Sequence, residues 1–508
     1  MKNSKKSKRI LCGILAFAAA FSFTGCGKKD NADSGGENVA LKWIMPGPGI
    51  QQDAEKVWGV VNEKVKEYKG LENVDLEIEV IETSGYAQKF QLMQVSGGGC
   101  DIAGTYSLDY ATQVKDDTFL DITDMLDEYA PQIKKEMPEW ALKLMQINNR
   151  QYAITNYQQM ASPMWGYITN KKEAEQYLGM SIEEAEAKFQ SSDILTEETL
   201  DIFETYFDNL NAAGKIRDGM RPGTTWAAKG YITILGPYVY RYAGDKVVVE
   251  NRMKLDTMKM TMERFHEWYK KGYIRKDILS CEIGKGNYNM NHAQWHEYAN
   301  IATNKTKTPD EEVVIMRSAK NFYLPNTSTS GGNAIMKTSK NPEKALQFLE
   351  LMYTSKGKDL YRMVTYGLEG EHYTKISEDR MEPIGYTGSQ GDLNSPYGLS
   401  KWLVGNTANA FEAPTDPEGW NDYVFNDWNA NAIPSKLTGI TIDTDPIDVE
   451  YGQVSGVVSE FQNQLTSGAL KDWEATYEEA MRKLDLAGEE KVRAEIQRQV
   501  DEYLAAQK

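Results

Sequence analysis

Residues 39–49 read VALKWIMPGPG, residues 53–69 read DAEKVWGVVNEKVKEYK and residues 74–80 read VDLEIEV. The first stretch is an apolar run stopped by alternating Pro and Gly, which is how a strand ends in a loop. The second places Val57, Val61, Val65 and Tyr68 on one face at helical spacing and stops at Gly70. The third alternates Val74, Leu76, Ile78 and Val80 with acidic residues, the period of a half-buried strand. A further helix around Phe90–Val95 and a strand from Asp101 extend the series. Strand, helix, strand, helix, strand requires parallel pairing through right-handed crossovers, so the fold class is α/β. Ligands of such open sheets bind beyond the carboxyl ends of the strands, which makes the loops after Met45 and at Thr105, Tyr106 and Ser107 candidate site loops. Gly97, Gly98 and Gly99 precede a strand instead of opening a helix, so they read as a turn and not as a phosphate cradle.

Beyond this unit, Leu120–Tyr129 is an amphipathic helical turn closed by Pro131, and Gln151–Thr155 is a strand. Trp165–Asn170 reads as a strand leaving the lobe. A second lobe follows, with Ser181 and Glu184 as a capping box, a helix opened by Thr196 and running to about Leu210, another from Met258 to Lys271 stopped by Gly272, and a strand at Val313–Met316. From Gly331 the chain turns back: a short strand, Ala334–Met336, precedes a helix with Asn341 as N-cap and Pro342 at its first position. Asp379–Thr444 is long, rich in Gly and Pro and aperiodic, which in a compact protein points to binding work. The C-terminus is helical, with Val492, Ile496, Val500 and Tyr503 on one face. The expected division is 39–160 plus 331–375 for the first lobe and 165–325 plus 380–508 for the second.

Ahead of this body, residues 1–25 have the form of an export signal. Lys2, Lys5, Lys6, Lys8 and Arg9 precede an apolar run, Ile10–Phe23, too short for a permanent membrane span. The ending Phe23, Thr24, Gly25, Cys26 resembles a bacterial lipobox, with Cys26 the lipidated residue of the mature protein; Leu is usual where Phe23 stands. Residues 26–38, polar and rich in Gly and Ser toward their end, read as a flexible tether. Without the signal the formal net charge falls from −17 to −22. So acidic a chain would be repelled by nucleic acid and by anionic lipid faces, so no nucleic-acid partner is expected. Of the 4 cysteines, Cys12 leaves with the signal and Cys26 is committed to lipid. Cys100 and Cys281, in different lobes, are expected to be free thiols, since a bridge between them would fasten parts that must move.

With the lipobox, the opening strand and helix, and Leu120, Asp121 and Ile122 in place, the chain resembles the extracellular solute-binding proteins of carbohydrate ABC transporters, of the family 1 type and its Gram-positive lipoprotein branch. Ser339–Glu343, the run Tyr366, Gly367, Leu368, Glu369, Gly370, Glu371, His372, Tyr373, then Trp402, Gly405 and Asn406, and the C-terminal Lys483–Gly488 and Glu495–Gln499 sharpen the resemblance, which covers nearly the whole mature chain. Members of that group open the first long helix of the second lobe with Pro, Thr, Trp; here Leu195, Thr196 and Glu197 stand there. The resemblance implies a two-lobed periplasmic-binding-protein-like fold with a hinge and a central ligand cleft, no enzymatic activity, no cofactor, and two partners: a carbohydrate, expected to be an oligosaccharide, and the permease subunits of an importer. It also implies a monomer held by its lipid at the extracellular face of the cell membrane.

A carbohydrate site needs rings to stack on sugar C–H faces and planar polar groups for the hydroxyls. Tyr106, Tyr157, Trp165, Trp226, Tyr288, Trp295 and Trp402 lie in loops or crossing segments and are the candidate platforms, with Gln158, Glu369, Asn406 and Asp427 as the polar set. Two catalytic readings are weaker. Glu369 and Glu371 project from one segment, whereas a glycoside hydrolase needs carboxylates on both sides of the scissile bond. His292 and His296 have the spacing of a zinc pair on a helix, but a closed site needs three or four ligands and only two other histidines exist. An extracellular glycoside hydrolase, or a binder of a peptide or metal, therefore remain the alternatives. If Cys26 is the lipidated residue, Cys26→Ser yields a protein that no longer partitions into a detergent phase; unchanged partitioning would remove the anchor.

Overall fold

The computed structural model describes residues 38–507, apart from 98, 162–164, 305–306, 329, 385–395 and 415. The signal segment, Cys26 and the tether through residue 37 lie outside the described residues.

The expected opening unit is present. β1 (Val39–Gly47) is followed by α1 (Ala54–Val65), β2 (Val74–Glu82), α2 (Thr83–Ser96) and β3 (Ile102–Gly104). β1 pairs in parallel with β2 and with β3. β4 (Ala153–Thr155) ends the first pass through this lobe, and β5 (Trp165–Asn170) begins the second lobe. There α3 (Glu197–Ala212) is capped by Thr196, whose hydroxyl accepts from the Thr199 N–H. A meander follows: β6 (Ile232–Leu235), β7 (Tyr238–Ala243) and β8 (Lys246–Asn251), antiparallel in the order β8-β7-β6. Next come α4 (Asp256–Lys271), β9 (Met290–Gln294) and β10 (Val313–Arg317), with β5 between β9 and β10 in an antiparallel sheet. The chain then returns as β11 (Gly332–Ile335), inserted antiparallel between β3 and β4, to complete the five-stranded order β2-β1-β3-β11-β4. α5 (Pro342–Tyr353) and α6 (Lys358–Tyr366) cover that sheet. After α7 (Lys401–Val404) the chain reaches the second lobe again and closes with α8 (Asp448–Thr466), α9 (Trp473–Leu486) and α10 (Glu489–Ala506).

Each lobe has its own core. Leu41, Trp43 and Met45 of β1 face a layer containing Val57, Val61 and Val65 of α1, while Ile44 faces the opposite layer with Tyr86 and Phe90 of α2. The second lobe has two clusters that share α4: Met258 and Met262 join the meander and the C-terminal helices, and Phe265 and Trp268 join α3 and β5. Tyr397, Val404 and Ala410 belong to the first-lobe core. The expected second-lobe segment from residue 380 is thus corrected, because residues through about 410 pack on α5 and α6. Cys100 and Cys281 are free; burial pushes the Cys100 thiol up to about 12.

Beneath the first-lobe sheet edge lies a polar knot. The Trp43 Nε1–H donates to Asn333 Oδ1 at 3.0 Å, and Asn333 Nδ2 donates to the Tyr353 hydroxyl at 2.9 Å and to Asn156 Oδ1 at 3.2 Å. Tyr353 donates in turn to the Ile154 carbonyl at 2.7 Å. Asn333, Tyr353 and Trp43 are fully buried, so removing one partner strands the others in a dry interior. Asn333→Ala should lower unfolding stability by about 3 kcal/mol, read from denaturant melts; a loss under about 1 kcal/mol would show that the knot relaxes without cost.

Candidate ligand cleft

Three chain passages join the lobes, near residues 156–165, 318–332 and 410–435. Asn429, 1% exposed, fastens the first passage to the third: its Oδ1 accepts from the Met160 and Ala161 N–H groups at 2.9 and 3.2 Å, and its Nδ2 donates to the Gln158 carbonyl at 2.7 Å. The second passage is fastened to the third by Leu324 N–H to the Ile433 carbonyl at 2.8 Å and Ile433 N–H to the Phe322 carbonyl at 2.7 Å. Rings fill the junction. Tyr157 lies between Trp140 and Phe425, centroids 5.7 and 4.9 Å away, and Trp295 stacks on Phe322 at 5.7 Å with the Arg317 guanidinium 4.6 Å from its ring.

Two openings adjoin these passages. One, of about 340 Å³, lies between the lobes: Thr105, Tyr106, Ser107 and Gln146 on the first-lobe side face Leu235, Ile440 and Thr441 on the second, with Ser328 and Gly331 of the returning passage. It sits at the carboxyl end of β3, where the topology places a ligand. The loop is held firmly. Thr105 N–H donates to the Gly332 carbonyl and Gly332 N–H to Thr105 Oγ1, both at 2.8 Å, and Ser107 takes the left-handed conformation at φ 70°, rare for a residue with a Cβ. Gly331, at φ 64°, has no room for a Cβ, which would lie 2.7 Å from the Tyr106 nitrogen. Tyr106 itself is 39% exposed, a large ring left uncovered. The second opening, about 530 Å³, is a second-lobe groove at the start of β5, lined by Trp165, Arg221, Thr224, Asn291, His292 and Gln462 among others. Trp165 is 42% exposed there. Among the described residues lining either opening there is no Asp or Glu.

Tyr106 and Trp165 therefore line openings, and the remaining sequence candidates do not. Trp226 is a core residue, 1% exposed, stacked on Tyr167 at 5.1 Å, with its Nε1–H donated to the Arg221 carbonyl. Tyr157 and Trp295 are spent on the ring junction, and Gln158 serves it through its carbonyl. Tyr288 folds back against Gly286, where a Cβ would meet its ring. Asn406 is buried and structural: Nδ2 donates to the Tyr353 carbonyl at 3.1 Å and Oδ1 accepts from the Ala408 N–H at 2.9 Å. Trp402 is exposed on α7 of the first lobe, not the second, with the Lys401 ammonium 4.8 Å from its ring. Asp427 is exposed and paired to Asn431, and Glu369 is exposed in a turn. Glu371, the other carboxylate of that turn, is held by Lys56. His292 lies in β9, so the expected helix face shared with His296 does not form; His296 packs on Trp420, centroids 4.6 Å apart. Sequence reasoning passed over Arg221 and Thr224, although the Arg-Pro-Gly-Thr-Thr turn at 221–225 is a legible loop signal.

The comparisons with known proteins agree with this architecture. A family described only as a domain of unknown function (DUF3502) matches residues 436–505, the stretch containing α8–α10. A protein of Streptococcus pneumoniae serotype 4 (strain ATCC BAA-334 / TIGR4) named "carbohydrate ABC transporter substrate-binding protein" is 24% identical over 100% of both chains. The crystal structure of the N-glycan transport solute-binding protein NgtS from Streptococcus pneumoniae superposes with a TM-score of 0.73 at 21% identity, covering 93% of this chain and 100% of that one. The chain has the two-lobed fold of the solute-binding proteins of carbohydrate ABC transporters. Solute-binding proteins of that fold also include one from Bifidobacterium longum infantis described as binding HMO, at TM-score 0.60 and 16% identity over 92% of this chain and 99% of that one. These relatives are named as binding proteins, not as enzymes.

His292 gives this solute-binding fold an acid-sensitive point. Its ring is enclosed by Trp226 and Tyr167, centroids 4.3 and 5.4 Å away, and burial, with the charge of Arg221, pushes its pKa down to about 3. The unfolded chain takes up this proton below about pH 6.5 while the native state refuses it, so stability falls as pH drops through that window. His292→Gln should shrink the stability loss between pH 7 and pH 5 by about 1 to 2 kcal/mol; an identical loss in both proteins would show that the ring protonates freely in the native state.

Proposed function

We propose that this protein captures a carbohydrate, an oligosaccharide, between its lobes and delivers it to the permease of an ABC importer, while tethered at the extracellular face of the membrane through lipid on Cys26. The observation that carries the reading is the character of the interlobe opening. In a chain with a formal net charge of −17, it is lined by hydroxyl, amide and apolar groups with the exposed Tyr106 ring and without a charged side chain. Such a surface suits a neutral polyol: a ring to stack on, and donors and acceptors for hydroxyls. A second exposed ring, Trp165, lines the separate second-lobe groove. The absence of Asp and Glu among the described lining residues removes the paired carboxylates that glycoside hydrolysis requires. Among the described residues no group of three His, Cys, Asp or Glu could hold a metal ion. No helix among the described residues is long and apolar enough to cross a membrane.

Thermal melting of the purified chain with a panel of oligosaccharides, peptides and divalent metals tests the class of solute, because a ligand held at a hundred times its Kd raises stability by about 2.7 kcal/mol. Shifts with oligosaccharides alone are expected; a shift confined to peptides or metals, or release of a reducing sugar during incubation, would replace the reading. With a sugar in hand, Tyr106→Ala should weaken binding about tenfold or more while leaving the unliganded melting temperature within a few degrees. Trp402→Ala should change neither, and a loss of affinity there would show that the cleft extends over α7.

A further inference from the structure

Arg221 stands apart from the other arginines. Arg150, Arg217, Arg241, Arg264, Arg275, Arg362, Arg380, Arg482, Arg493 and Arg498 each pair with a carboxylate. Arg252 and Arg317 donate to backbone carbonyls. Among the described residues, Arg221 alone has a guanidinium without a hydrogen-bond or ion-pair partner, in a protein where acidic residues outnumber basic ones by 74 to 57. It is also the one Lys or Arg lining the second-lobe groove, where no carboxylate faces it.

Its backbone is fixed from both sides. The Arg221 N–H donates to the Met290 carbonyl of β9 at 3.0 Å, its own carbonyl accepts the Trp226 indole N–H at 3.0 Å, and Pro222 follows. A guanidinium is a planar fork of donors that matches an oxyanion, and a site that fixes the arginine's backbone while leaving its fork unpaired has the form of a receptor for one. Around it stand Thr224, Thr225, Asn291, Gln462 and the half-exposed Trp165, groups that suit a sugar.

We propose that the second-lobe groove takes an acidic saccharide residue, with Arg221 pairing its carboxylate or sulfate. This deepens the carbohydrate reading above and rests on it. The pairing has a direct consequence for specificity: the acidic sugar gains a charge-assisted hydrogen-bond pair that its neutral counterpart lacks, about tenfold or more in affinity.

The test is calorimetric titration of the purified full chain with matched pairs: lactose and sialyllactose, N-acetyllactosamine and its sulfated form, cellobiose and cellobiouronic acid. At least one acidic member should bind about tenfold tighter than its neutral partner, the carboxylated and sulfated arms telling which anion is preferred. Arg221→Gln should erase the preference and retain the neutral affinity, Arg221→Lys should keep part of it, and both should melt like the parent protein without ligand. Neutral sugars binding as tightly as acidic ones, or an Arg221→Gln protein that keeps the preference, overturns the proposal but leaves the carbohydrate reading standing. An unliganded Arg221→Gln protein that unfolds would show the side chain to be structural and would also overturn it. Binding by no saccharide of either kind removes both.

Discussion

The two amide groups of Asn333 and Asn156, with the Tyr353 hydroxyl between them, decide how the lobes can be joined. Asn333 lies on β11, where the chain re-enters the first-lobe sheet; Asn156 lies just past β4, where it leaves; Tyr353 ends α5, which covers both. Fastening these points with buried hydrogen bonds fixes the exit and return of the chain at one spot on the sheet edge. A buried amide left unpaired costs roughly as much as the bond it forgoes, so the knot discriminates strongly against alternative registers of β11. The loop Thr105–Ser107 then hangs on Gly331 and Gly332 beside the knot, and the position of the Tyr106 ring follows from a constraint set deep inside the lobe.

The neutrality of the interlobe opening has a physical logic of its own. Burying an unpaired charge between closing lobes would penalise the closed state, whereas hydroxyls and amides exchange water for ligand at small net cost. Closure is then governed by the ligand, since only a solute with greater affinity for the closed form can shift the balance. The many acidic residues elsewhere on the chain act over a different range and bear on solubility and encounter.

The parts that were legible in the sequence are those whose burial is local. Val57, Val61 and Val65, and the alternating Val74–Val80, each face a core formed largely by their own neighbours, so their period survives in the text. The meander at Ile232–Asn251 is legible too, with alternating Tyr238, Tyr240 and Val247, Val249 set off by Gly236-Pro237 and Gly244-Asp245. β9 was not readable: Asn291, His292 and Gln294 are poor strand formers, and only pairing with β5 makes them extended. The ring candidates show the same limit. Tyr106 and Tyr157 occupy similar loop contexts, and what separates them is Trp140 and Phe425 arriving from distant segments to cover Tyr157. Trp402 shows the same limit, since the lobe that claims residues 397–410 is set by long-range packing of Tyr397, Val404 and Ala410 alone.

The ring-filled junction, laced by Asn429, means that the lobes do not hang on any single covalent thread. Three passages share one hub, and each is tied to another by backbone hydrogen bonds. Were the first passage cut, the second and third would stay tied through Leu324, Phe322 and Ile433, and Met160 and Ala161 would stay held by Asn429. The lobes are therefore held by more than chain connectivity, because side-chain and backbone hydrogen bonds between the passages share the mechanical load of the junction.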